Sequence, residues 1–326
     1  VLYLLGYIAR RFSQMLILLV GISLVSFAIM HIAPGDPVDL MTDRLATAEE
    51  KARISAIYGF DQPIHVQYVI WASQVLQGNL GRSFVTGEKV LDMITARLPA
   101  TLFLNFLTLI IIYALSIPIG IISAVKQYSW FDHIVTFYAF LGQSMPQFWL
   151  SLLLLYYVGL RFPFIQTAGM SSYGVTVATE GLWAVIVDRT SYLILPLTVV
   201  SFGNLASITR YMRASMLDVI NQDYVRTAKA KGLSQRKVIL KHAFRNALLP
   251  LVTMLGFELP ILFSGSVIIE TIFAWPGVGL LSWNAVMQRD YQVIMAFNLL
   301  GASMMVLGSF IADMLYLAVD PRIKYN

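Results

Sequence analysis

The chain has 326 residues, 58% of them hydrophobic and 13% charged, with a mean hydropathy of +0.71 and a formal net charge of +5. Soluble domains carry about 25% charged residues, so the composition points to a bilayer protein and away from a soluble enzyme. Cysteine is absent, which excludes a disulfide framework and a thiolate metal site.

Six segments approach or exceed the ~20 apolar residues that cross a bilayer. The first, Phe12–Ile32, follows Arg10-Arg11 and leads into HIAPGDP rather than a small-residue cleavage site, which marks an uncleaved signal anchor. Two prolines around Gly35-Asp36 turn the chain at Ala33–Val38. Residues 39–97 form the one sizeable soluble piece. A helix is predicted near Ala46–Tyr58, with Thr47 as its cap and Glu50 at the third helical position, and a second near Ile64–Gln77. The glycine-rich GNLGRSF at Gly78–Phe84 lacks the Lys-Ser/Thr of a phosphate loop.

The second span is predicted at Leu98–Val125 and the third at His133–Leu160. The third is unusually polar around Gln143, Ser144, Gln147 and Trp149. Polar side chains at membrane depth must face protein or water, so these residues either line a path or pack between helices. The fourth span, Tyr192–Thr209, has Asp188 and Arg189 just before it. The fifth, Ala247–Ile269, contains Glu258, which either lines a path or is held protonated and hydrogen-bonded. ETIFAWPGVG at Glu270–Gly279 carries glycines and a proline that bar a continuous helix. The sixth span is Tyr291–Val319, with Gly308 and Ala312 as a small-xxx-small pair for close helix contact. Asp313 near its end reads as structural, paired with a basic group. Prolines 118, 146, 196, 250 and 260 fall within or beside these spans, where neighbouring helices can satisfy the freed carbonyls.

The most distinctive stretch lies between the fourth and fifth spans: DYVRTAKAKGLSQRKVILKHAFRNALLP, Asp223–Pro250. It is polar and basic and reads as helix, glycine break, helix. Asp223 is predicted to cap a first helix running to Lys231, Gly232 to take the left-handed position that ends it, and Ser234 to cap a second helix toward Asn246. With both termini on one side, 14 of the 23 lysines and arginines fall on that side, seven of them in this stretch. Twelve of the 18 acids fall on the other. Basic loops remain inside, so the termini and this stretch are expected in the cytoplasm.

No G-x-x-x-x-G-K-[ST], H-E-x-x-H or G-x-S-x-G occurs, so the chain offers no catalytic set of those kinds. His31, His65, His133 and His242 are scattered in depth and side and make no metal site.

The Asp223–Pro250 stretch resembles the coupling loop of binding-protein-dependent ABC importer permeases, whose motif reads E-A-A, three residues, G, nine residues, I-x-L-P. Arg226-Thr227-Ala228 stand at E-A-A, Gly232 at the glycine, and His242–Arg245 at I-x-L-P. These departures from the general motif are similar to the dipeptide, oligopeptide and nickel branch, as DYVRTAKAKGL followed by HAFRNA. APGDPV, GNLGRSF, ETIFAWPGVG and ADMLYLAVDPRIK resemble the same branch, and the chain is identified as the first of its two permease subunits. The resemblance implies an all-α polytopic fold of six transmembrane helices, the type I (MetI-like) importer fold, with a small external domain after the first span. The implied division is 1–97 anchor and external domain, 98–319 permease domain with coupling loop 210–246, and 320–326 cytoplasmic tail.

It further implies a second homologous permease, two ATPase subunits or one as a homodimer, and an external substrate-binding protein in a prokaryotic cytoplasmic membrane. ATP and Mg would be held by the ATPases, with no cofactor, metal or nucleic acid on this chain. The residues expected to couple to the ATPase are Tyr224, Arg226, Ala228, Gly232, Leu233 and Arg236, with Ala228 small so that its helix can enter a groove. Gln143, Ser144, Gln147 and Glu258 are the candidates for the path. Peptides are the substrate class the branch favours, and nickel chelates, glutathione or oligosaccharides are alternatives. An ion-coupled secondary transporter is the competing class. It would need no ATPase-gripping knob, and its expected inverted halves are not evident as a sequence repeat.

Overall fold

Two long helices that cross closely organise the chain. A computed structural model describes residues 2–32, 38, 39, 42 and 46–319. In chain order the helices are α1 (Leu2–Ile32), α2 (Ala48–Tyr58), α3 (Ile64–Leu76), α4 (Val90–Val125), α5 (Trp130–Ser144) and α6 (Gln147–Leu154). There follow α7 (Val177–Ile220), α8 (Asp223–Ala230), α9 (Gln235–Lys237), α10 (Phe244–Ala247), α11 (Leu249–Ser264), α12 (Val267–Ile272), α13 (Val278–Gln288) and α14 (Tyr291–Val319). Short π-helical stretches follow α6 (Leu155–Gly159) and α9 (Val238–Ala243). Among the described residues the only β contact is an isolated bridge between Arg82 and Lys89. The fold is all-α and polytopic, and large apolar side chains such as Ile17, Val25 and Phe106 face outward, as a lipid-facing surface requires.

Between membrane helices, lipid is as apolar as leucine, so close packing rather than water exclusion holds the helices together. The α4–α7 seam is built for close approach. Gly120 on α4 lies against Met212 on α7, and a Cβ there would fall 2.7 Å from the Met212 Cβ. Ser116 donates to the Leu205 carbonyl at 3.1 Å. Ile112, Ile208, Met212 and Met216 form a buried core that continues into the segment after α7. A second core at the other end of the same helices gathers Leu104, Leu195, Val199, Ile269 and Trp275, and the Trp275 indole N–H donates to the Ala100 carbonyl at 3.0 Å.

Three predicted spans differ from what is found. His133–Leu160 is not one helix. Pro146 has no N–H to donate, so α5 ends at Ser144 and α6 starts at Gln147. The described residues thus hold five helical stretches long and apolar enough to cross a bilayer, one of them α11 taken together with α12, and α6 with its π-helical continuation is a shorter apolar piece. The fourth span extends to 44 residues. Asp188 and Arg189 lie inside α7, where the Asp188 carboxylate accepts the Ser172 N–H at 2.9 Å, and a break at Gly181 (φ +82) interrupts its first turns. The fifth span stops at Gly265 (φ +66), where any Cβ would meet Glu270 and Gly279. The Asn105 amide satisfies the last carbonyls of α11 by donating to Ile261 and Leu262 at 3.3 and 3.0 Å.

The piece after α1 follows its prediction more closely. Thr47 caps α2 by accepting the Glu50 N–H, and Gly59 ends that helix at φ +73. Ser23 and Tyr68 share a 2.8 Å hydrogen bond, and His31 Nε2 lies 3.0 Å from Gln67 Oε1, so α3 is fastened to α1. The glycine loop docks on the start of α14, where Asp290 accepts the Ser83 hydroxyl and the Phe84 N–H and Gln292 donates to the Leu80 carbonyl. Gly81 leaves room for the Gln292 amide there. Gly308 is buried against the Pro260 ring, the close α11–α14 contact expected of it. The Ala33–Pro37 turn, the tail 320–326 and the side chains of Ala312 and Asp313 lie outside the described residues.

Because Gly120 has no space for a side chain, Gly120→Leu should destabilise the purified protein by about 1–3 kcal/mol through overpacking. Thermal unfolding in detergent would show this as a clear drop in Tm. An unchanged Tm would mean the α4–α7 seam is not close-packed at this point.

Candidate functional site

The segment after α7 forms a two-part knob. α8 starts at Asp223, one residue after its N-cap Gln222, so Asp223 lies in the first turn and is not the predicted cap. Its carboxylate stands 3.5 Å from Arg226 Nη1 on the fully solvated face. Gly232 has φ +79, the left-handed conformation expected of it. Ser234 starts the second helical run without a side-chain capping bond. That run extends through the π-helical stretch and α10 to Ala247 and is tied back to α8 by the Asn246 amide, which donates to the Tyr224 hydroxyl at 2.8 Å.

The knob has an inner and an outer face, set by helical spacing. Val225 and Ala228 face inward and join the core with Met212, Met216, Val238 and Ala243. Ala228 is therefore small because α8 lies against the chain's own bundle, and its side chain is not on the outer surface. Tyr224, Arg226, Gly232, Leu233 and Arg236 are exposed together at the tip and on the outer face.

Below the knob, a charged pair links α5 to α7. Arg213 Nε and Nη2 donate to the two oxygens of Asp132 at 2.6 and 2.7 Å, a bidentate contact. The same carboxylate accepts the Ser123 hydroxyl and the Tyr128 N–H. Asp132 lies in the first turn of α5, outside the apolar stretches, and is 2% exposed. The hydrogen bonds from Arg213 hold its carboxyl far below the usual carboxylate range. Burial pushes the other way, and the Ser123 and Tyr128 bonds add to the lowering. A lowered folded value means the stabilisation is fully present at neutral pH and is lost only as the pH falls through that value.

The path candidates are divided between two places. Gln143, Ser144 and Gln147 flank the Pro146 break and are exposed. Gln143 also donates to Ser207 of α7 at 2.9 Å, so it bridges helices while remaining accessible. Glu258 is half-buried on α11, a separate helix packed on α14 and α4.

One carboxylate escaped sequence reasoning. Glu270 is 1% exposed, accepts the Thr101 hydroxyl on Oε1 and the Leu280 N–H on Oε2, both at 2.9 Å, and so caps α13 from outside. Thr101 in turn accepts the Val278 N–H at 2.9 Å. Gly277 and Gly279 approach so closely that a Cβ on either would strike the carboxylate. The glycines of ETIFAWPGVG were the available signal. They break the helix because a buried acid occupies the space.

Comparisons with known proteins cover almost the whole chain. Residues 116–325 match the family described as binding-protein-dependent transport system inner membrane component, and residues 4–105 match its N-terminal membrane component. The chain is 43% identical over 321 residues to the oligopeptide transport system permease protein AppB of Bacillus subtilis, covering 98% of this chain and 99% of that one. It is 36% identical over 337 residues to the dipeptide transport system permease protein DppB of Escherichia coli K12, with 99% of each covered. It is 35% identical over 334 residues to the di/tripeptide transport system permease protein DppB of Pseudomonas aeruginosa, again with 99% of each covered.

Glu270→Gln would put an amide donor against a donor already in place. It should cost about 1–3 kcal/mol, visible as a lower Tm with the protein still inserted. A Tm equal to that of the wild type would show that the carboxylate is not needed to hold the α12–α13 turn.

Proposed function

The chain belongs to the binding-protein-dependent transport system inner membrane components, a multi-pass membrane family, and on that premise we propose that it is a permease subunit of an ATP-driven peptide importer. The printed activities of the three relatives, oligopeptide, dipeptide and di/tripeptide transport, support peptides as the cargo. The carrying observation is the knob, a basic helix–glycine–helix whose inner face is cemented to the bundle and whose outer face exposes Tyr224, Arg226, Gly232, Leu233 and Arg236. A rigid projection with a free tip can be gripped and pushed by another protein.

In this reading the spans of this chain and of a second, homologous permease enclose the path. Two ATPase subunits, or a homodimer of one, hold ATP and Mg and seat the two knobs. Their closure drives the knobs together and turns the path outward, where an extracytoplasmic binding protein releases its peptide. The path is then a two-state element biased by ATP binding. This chain supplies no ATPase site and no cofactor. α5 and α6 together make the third of six crossings, both termini and the knob are cytoplasmic, and residues 39–97 form the external domain beside the mouth. Gln143, Ser144, Gln147 and Glu258 are the side chains assigned to the path. Ala228 serves coupling from within, by letting α8 seat on the core.

Two experiments test this reading. The orientation predicts that a cysteine at Ser234 reacts with a membrane-impermeant thiol reagent only from the cytoplasmic side and one at Glu88 only from outside; the reverse pattern would sink it. The coupling role predicts a specific defect in Gly232→Val. A Cβ there meets no neighbour, so the variant feels only the backbone penalty of φ +79, about 1–2 kcal/mol. That is too little to unfold the protein but enough to tilt α8 against the following helix. The variant should insert and assemble, yet lose binding-protein-stimulated ATP hydrolysis by about tenfold. Uptake and stimulation at wild-type levels would remove the knob from the mechanism.

A further inference from the structure

We infer that the Asp132–Arg213 pair is the strut through which movement of the knob reaches α5 and the broken middle of the α5–α6 segment. The inference rests on the coupling role proposed for the knob and assigns the next step of the same process.

The knob cannot move independently of α7. α7 ends at Ile220 and α8 begins at Asp223. The short joint is clamped, because the Asn221 and Gln222 amides donate back to the Leu217 and Asp218 carbonyls at 3.1 and 3.3 Å. Val225 and Ala228 share a buried core with Met212 and Met216, on the last turns of α7. A push on the knob is therefore a push on the segment of α7 that carries Arg213.

What α7 does to α5 depends on their contacts, which include Arg210 over the Phe140 ring at 6.0 Å. In mid-helix Gly142 packs against Phe202 and Ala206, and Gln143 bonds to Ser207. At the knob end the link is Asp132–Arg213. A bidentate pair fixes distance and orientation together, so it resists rotation of one helix past the other as well as separation, which a single hydrogen bond or an apolar contact does not. The carboxylate is also a four-way joint. Ser123 brings in the end of α4, Tyr128 brings in the α4–α5 turn, Asp132 itself starts α5, and Arg213 brings in α7. Tyr128 has φ +63, uncommon for a residue with a side chain, and its N–H is held by this carboxylate. α5 then runs to Ser144 and the Pro146 break, where the polar path candidates stand. Displacement of the knob is delivered through the joint to the point at which the span is already interrupted.

The test uses the complete complex in liposomes, with both permeases, the ATPases and a peptide-loaded binding protein. Asp132→Asn keeps the shape of the side chain and removes the ion pair. Arg213→Lys keeps the charge and removes the bidentate geometry. Transport per ATP hydrolysed, at matched amounts of assembled complex, should fall about tenfold in both, while stimulated hydrolysis persists. Ser123→Ala, which removes one arm of the joint and leaves the pair, should lower transport per ATP less than either. A wild-type ratio in Asp132→Asn or Arg213→Lys overturns the inference. So does failure of both to assemble, since the pair would then be a support of the fold only. Gly232→Val in the same vesicles separates the two levels. If it abolishes stimulation while Asp132→Asn leaves the ratio intact, the strut is refuted and the knob reading stands. If Gly232→Val behaves as wild type, the knob reading fails and the strut fails with it.

Discussion

The close crossing of α4 and α7 is the constraint on which the rest of the structure depends. In lipid there is little hydrophobic gain in bringing two apolar helices together, so their contact must come from fit. Gly120 gives that fit by admitting Met212, and the seam continues as one apolar core past the end of α7 into the inner face of the knob. A projection made of short helices would be loose by itself, since helices of this length are marginal when isolated. Here it is stiff because Val225, Ala228, Val238 and Ala243 are part of the same packing that joins the membrane helices.

Two interruptions of the helices are compensated by groups brought from elsewhere in the chain. Gly265 ends α11, and Asn105 of α4 satisfies the exposed carbonyls. The α12–α13 turn leaves N–H groups of α13 without helical partners, and Glu270 and Thr101 accept them. The glycine loop after α3 directs a hydroxyl and an N–H at Asp290. Unpaired polar groups at membrane depth are costly, so such breaks persist only where a specific partner is fixed in place. The broken spans are therefore positions of defined geometry.

The elements legible in the sequence were those set by local signals. Thr47 and Glu50 mark the start of α2, unbroken apolar runs mark α1 and α14, and Gly232 marks the joint of the knob. The elements that were misread depend on distant contacts. Hydropathy makes His133–Leu160 a single span, because Phe, Leu and Trp on both sides of Pro146 outweigh one missing hydrogen bond. Asp188 and Arg189 appeared to limit α7, yet a helix of this length extends beyond the apolar layer and carries charge there without penalty. Glu270 was overlooked because its motif read as a turn, and only the tertiary structure shows the turn folded around the acid. Ala228 was placed correctly in the loop but given the wrong neighbour: its position on α8 is local, whereas the surface it meets is not.

The most direct test of the account is proximity at the tip of the knob. A photo-crosslinkable residue at Leu233, exposed and next to the left-handed glycine, should join the chain to the ATPase subunit in intact membranes, with a yield that changes on ATP binding. The same residue at position 228, on the buried face, should give no intermolecular product. Crosslinking of position 233 to the binding protein, or to no other subunit, would contradict the central claim that this segment is a rigid knob by which ATP-driven motion enters the membrane.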